Sequence, residues 1–108
     1  MSEAAKRERR QRALVAQTLA AYQCGASTLE RLSQALQVLT LELRLFPKDW
    51  LADFQAEVNG LEVLYAVALD RGVAEDLPTG YQAEADETVR RLEALLEQLP
   101  PLAGDGAP

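Results

Sequence analysis

Four carboxylates, Asp53, Glu57, Glu62 and Asp70, lie on or beside one strongly apolar stretch, DWLADFQAEVNGLEVLYAVALDR, which runs from Asp49 to Arg71. Carboxylates so gathered could act as general acids and bases, or hold a metal through oxygen ligands. Helical di-metal sites, however, combine Glu with a His three residues on, and this chain contains no histidine. An oxygen-only site would need several carboxylates to converge on one ion. The expectation is a solvated acidic face, with no metal and no cofactor. The missing histidine also removes a His general base, a Ser–His or Cys–His nucleophile pair and a phosphorelay His. The single cysteine, Cys24, excludes an internal disulfide and a thiolate zinc site. With no cationic neighbour or His base beside it, Cys24 reads as a small apolar residue at a helix end. Acid–base chemistry would rest on the carboxylates, Lys48 or the three tyrosines. An enzyme is not expected, and no small-molecule ligand is indicated.

Charge is distributed unevenly. The chain carries a net −6, yet residues 1–12 hold five basic residues against Glu3 and Glu8, a net of +3, which leaves −9 on the remainder. A basic arm on an acidic body attracts acidic partners locally while the body repels nucleic acid. The arm, KRERRQR from Lys6 to Arg12, is similar to the arginine-rich helical motifs of phage antiterminators and other RNA-binding peptides. That resemblance covers seven residues. It implies that Arg7, Arg9, Arg10 and Arg12, with Lys6 beside them, contact phosphates with an affinity that falls steeply as salt rises. No basic patch continues the arm, and no exposed aromatic partner is evident. A second likeness lies at Ala21–Gly25, which resembles the turn of a helix-turn-helix. That pattern also places apolar residues six and nine positions after the glycine, where this chain has Arg31 and Gln34. The helix that follows is too apolar to lie in a DNA groove.

The elements follow from periodicity and punctuation. A first helix is expected over Ala4–Gln23, with its apolar residues Leu14, Val15, Leu19 and Tyr22 all in the second half, and Gly25 as its stop. Residues 1–12 have nothing apolar to bury and their cations oppose the helix dipole, so they are expected to project and to be dispensable for folding. Ser27 with Glu30 forms a capping-box pattern that opens a second helix. Leu29, Leu32, Leu36, Leu39, Leu43 and Phe46 then step by three and four, the strongest periodicity in the chain. Pro47 should end that seam. Asp49 is placed to cap the third helix, in which Trp50, Phe54, Val58 and Leu61 share a face. From Leu61 onward this helix is apolar almost all round, which marks it as a rod surrounded by its neighbours. Gly72 and Val73 can close it with a Schellman contact. Thr79 and Gln82 repeat the capping-box pattern, and a fourth helix should run to about Leu99 before Pro100 and Pro101 stop it. Trp50 does not open the tetratricopeptide signature, and no internal repeat is present.

At 108 residues, 48% hydrophobic and 26% charged, the chain has the composition of one globular domain with a core. The expected organisation is a basic arm over 1–12, a helical bundle over 13–99 and a disordered tail over 100–108. The fold class is all-α, an antiparallel four-helix bundle, with a three-helix core that exchanges its first helix in a dimer as the alternative. No run approaches a membrane span, Ala13–Ala21 is too short and mixed for a secretory signal, and a cytoplasmic location is expected. One surplus remains. Val38, Leu41 and Leu45 form a second apolar stripe on the second helix, roughly 150° round from the first. Either the first and fourth helices cover both stripes, or the second stripe meets a partner. The expected function is a non-enzymatic helical interaction module, an adaptor, chaperone or inhibitor, that buries Val38, Leu41 and Leu45 against another protein or a second copy in a homodimer. The alternative is a nucleic-acid-associated regulator acting through the basic arm.

Overall fold

The computed structural model describes residues 3–43 and 46–99. Four helices account for 82% of them: α1 (Glu3–Gln23), α2 (Leu29–Glu42), α3 (Lys48–Asp70) and α4 (Thr79–Gln98). Among the described residues there is no strand, and the fold is an all-α bundle of four helices. Packing follows a closed ring in which α1 meets α2, α2 meets α3, α3 meets α4 and α4 meets α1. Helix α1 thus completes the bundle of its own chain. Side-chain contacts tie neighbouring helices together. Gln11 reaches the Glu42 carbonyl, Trp50 reaches the Leu95 carbonyl, and Arg91 pairs with Glu57.

The heptad-like seam is the floor of the core. Leu29, Leu32, Leu36, Leu39, Leu43 and Phe46 are all buried, opposite Val15 and Leu19, Phe54, Val58 and Leu61, and Val89 and Leu92. Helix α2 nevertheless stops at Glu42, earlier than Pro47 alone would require. The Leu43 backbone turns back to donate to Thr40, and Phe46 re-enters the core from outside the helix. The seam therefore continues in space after the helix has ended. Trp50 is buried where Phe46 and Phe54 flank its ring, with centroids 5.2 and 5.0 Å away.

Helix ends sort by position. At the far ends of α1 and α3, Gly25 (φ +81°) and Gly72 (φ +72°) adopt the left-handed conformation. Ala26 then donates to Ala21 at 2.9 Å and Val73 to Ala68 at 2.8 Å, the six-to-one bond of a Schellman closure. Helices α2 and α4 have no such glycine. Their orphan carbonyls are met by side chains from a neighbouring helix: Gln11 donates to Glu42 O at 2.7 Å, and the Trp50 indole donates to Leu95 O at 2.6 Å. At the starts, Thr28 caps α2 by accepting from the Arg31 amide at 3.2 Å, one residue later than the Ser27–Glu30 pattern suggested. Pro47 and Pro78 open α3 and α4 without a side-chain cap. Proline already holds a helix-compatible φ there, so Asp49 and Thr79 fall inside the first turns instead of preceding them.

Two expectations about burial fail. Helix α3 is not an enclosed rod. It packs chiefly on α2 and α4, and Val63, Val67 and Leu69 stay exposed. The first half of α1 does not stand away from the bundle. Helix runs unbroken from Glu3 through the Arg12–Ala13 junction, Ala5 and Gln11 are buried, and the Arg12 guanidinium lies 5.9 Å from the centroid of the Phe46 ring. A polar residue, Gln11, joins the core because its amide has a carbonyl to satisfy. Residues 100–108, expected to be a disordered tail, lie outside the described residues.

Candidate functional site: the groove between α1 and α2

Residues three or four apart on a helix share a face. On α1 Arg7, Arg10 and Leu14 form one such face, centred roughly 110° round from the Val15–Leu19–Tyr22 seam. On α2, Val38 and Leu41 lie away from the Leu32–Leu36–Leu39 seam. Where these two faces adjoin, Arg7, Arg10, Gln11, Leu14, Leu41 and Glu42 line a groove of about 410 Å³. The Gln11 bond to the Glu42 carbonyl sets its floor. Leu41 is 74% exposed, Val38 58% and Leu14 39%. The second stripe of α2 is therefore left open by α1 and α4. Leu45, the third member of that stripe, lies outside the described residues. Leu14, one of the four apolar residues of α1, is not part of the core. Its spacing from Arg7 and Arg10, and not its apolar character, was the signal that it belongs on the surface.

The basic arm is not a uniform strip. Lys6 pairs with Glu3 at 3.7 Å and Arg12 with Glu8 at 3.4 Å. Arg7 and Arg10 make no ion pair or hydrogen bond among the described residues, and both line the groove. Arg9 is exposed on α1. The helix-turn-helix likeness does not extend to a DNA-reading face. The exposed side of α2 presents Glu30, Arg31, Gln34, Val38, Leu41 and Glu42, a mixed and partly apolar surface.

The carboxylates are dispersed. Glu57 accepts from Arg91 at 2.7 Å, and the pair, with Asp53 alongside, borders a shallow cavity of about 340 Å³. A half-exposed ion pair of this kind contributes at most about 1 kcal/mol. Glu62 and Asp70 face solvent. Among the described residues no three His, Cys, Asp or Glu side chains gather to hold a metal ion. Cys24 is exposed, and its thiol donates to the Ala21 carbonyl at 3.4 Å.

A larger cavity, about 570 Å³, opens at the glycine-closed end between Tyr22, Glu30, Tyr65 and Asp76. Burial pushes the Tyr22 phenol above its ordinary pKa, Asp86 adds to the rise and the hydrogen bond from Gln82 opposes it. The Tyr65 phenol is raised in the same direction, first by desolvation and then by the Glu30 carboxylate to which it donates. Both phenols stay protonated at neutral pH, as hydrogen-bonding groups and not as bases. Lys48, exposed at the start of α3, stands seventeen residues before Tyr65, roughly 25 Å along the helix at 1.5 Å per residue. Lysine and phenols are thus not brought together. Among the described residues no helix is long and apolar enough to cross a membrane. No protein-family model matches this chain, and no curated protein or solved structure matches it either.

Proposed function

We propose that the chain is a non-enzymatic helical interaction module, of the adaptor, chaperone or inhibitor kind, that buries the outer faces of α1 and α2 against a protein partner. One observation carries this reading. Leu14, Val38 and Leu41 lie exposed on adjoining faces, outside a core already closed by four helices. Single exposed leucines are ordinary, whereas apolar side chains that share a groove with charged residues at its edge mark an interaction surface. Self-association through the same face is the homodimeric form of this reading. A second reading, a nucleic-acid-associated regulator using Lys6, Arg7, Arg9, Arg10 and Arg12, draws support from Arg7 and Arg10 having no ion-pair partner among the described residues. The two separate by salt, because phosphate contact weakens steeply with ionic strength and apolar burial does not.

The test compares wild type with Leu41→Glu by light scattering and circular dichroism. Leu41 is exposed, so the variant should keep its helicity and its melting temperature within a few degrees. Any self-association of the wild type should disappear in it. A wild type that stays monomeric at tens of micromolar ends the homodimeric form. A variant that unfolds would place Leu41 in the core and end the reading.

A further inference from the structure

We propose that the groove between α1 and α2 receives an acidic amphipathic helix from another protein, with apolar side chains set on Leu14 and Leu41 and carboxylates set on Arg7 and Arg10. This rests on the chain being an interaction module and supplies the chemistry of its partner. The charge pattern is the argument. Of the cations on the first half of α1, Lys6 and Arg12 are occupied by Glu3 and Glu8, whereas Arg7 and Arg10 have no such partner among the described residues. Those are the two that line the groove. Among the described residues Glu42 is the one acidic residue on its wall, so two guanidiniums against one carboxylate leave the groove positive. Guanidinium groups beside apolar surface suit a bidentate carboxylate whose own stem packs alongside.

Spacing fixes the partner's pattern. Arg10 lies one turn and Arg7 two turns before Leu14, roughly 6 and 10 Å along the axis at 1.5 Å per residue. A helix laid along α1 meets all three if its acidic residues stand one and two turns from an apolar anchor, with further apolar residues at helical spacing for Leu41 and Val38. Other occupants fit less well. A nucleic-acid backbone would satisfy the arginines and leave Leu14 and Leu41 against water. A second copy related by a two-fold axis through the groove would set arginines on arginines, like charge on like. The −9 carried by residues 13–108 repels an acidic helix elsewhere on the chain and confines it to this face.

The experiment selects a displayed library of helical peptides on the full-length chain and measures the selected peptides by titration. The expected result is enrichment of Leu or Phe at helical spacing, flanked by Glu or Asp one and two turns away. Amide shifts on binding should concentrate at Arg7, Arg10, Leu14 and Leu41. The double substitution Arg7→Glu with Arg10→Glu, helical by circular dichroism, should weaken these peptides at least about tenfold, equal to 1.4 kcal/mol, and Leu41→Glu should do the same. Apolar peptides without acidic residues, or acidic ones indifferent to the arginines, would overturn this proposal and leave the interaction module standing. A library that yields no binder would overturn both. A mixed-sequence RNA probe that binds in place of peptides would decide for the nucleic-acid reading.

Discussion

Trp50 does two jobs at one site. Its ring lies between Phe46 and Phe54, and its indole N–H closes the end of α4 through the Leu95 carbonyl. Trp50→Ala should therefore cost about 3–5 kcal/mol in chemical denaturation. Trp50→Phe keeps a ring in place and removes only the donor, so its cost should fall to about 1–3 kcal/mol. Equal losses in the two variants would show that the hydrogen bond, and not the packing, dominates. Tyr22 makes a prediction about pH. Its phenol is raised above the ordinary value of 10.0 chiefly by burial, so above that value the unfolded chain releases a proton that the folded chain retains. The Tyr22 contribution to stability should be constant below about 10 and fall as pH rises past it. Tyr22→Phe should flatten part of that decline in a series of melting temperatures. Burial of Trp50 was legible from its spacing to Phe54, Val58 and Leu61. Its bond to Leu95 was not, because no local pattern pairs residues 45 apart.

At the scale of elements, most of the architecture was written in period and punctuation. The Leu29-to-Phe46 seam, the two glycine stops and the four-helix count all follow from spacing alone. Errors cluster where two residues could serve one purpose. Thr28 caps α2 in place of its neighbour Ser27, since either hydroxyl can accept an amide and only the entering backbone decides between them. Gln82, expected in a capping box, instead reaches the Tyr22 hydroxyl and Asp86. The glycines permit a test with opposite signs. An added Cβ would meet nothing within 4 Å at Gly25, Gly72 or Gly60, so backbone conformation alone sets the outcome. Gly25→Ala and Gly72→Ala place a side chain at positive φ and should each cost about 1–2 kcal/mol. Gly60→Ala, inside helix α3, should stabilise by about 0.5–1 kcal/mol. A shared sign in thermal melts would contradict the Schellman closures.

The whole molecule was the least legible level. An apolar girth on α3 suggested a rod enclosed on all sides, yet a ring of four helices gives each member only two close neighbours. Helix α3 therefore keeps Val63 and Val67 in the open. The candidate groove was half legible: the α2 stripe was visible, whereas the α1 wall was not, because Leu14 stands in sequence among the core residues Val15, Leu19 and Tyr22. The first twelve residues also prove to be more than a solvated end. A chain starting at Ala13 loses Gln11 from the Glu42 carbonyl and Arg12 from the Phe46 ring. It should be less stable than the full chain by about 1–3 kcal/mol, read from denaturation midpoints. The manner in which the helices end carries one more consequence, for the order in which backbone amides meet solvent. Glycine closures on α1 and α3 are made within a few residues and survive as long as their own turn does. The ends of α2 and α4 are held by Gln11 and Trp50, and each opens when a different helix moves. Deuterium should accordingly enter the last turn of α2 in step with the first half of α1, and the last turn of α4 in step with the start of α3. Replacing Gln11 by Ala would then uncouple the first pair and leave the second as it was.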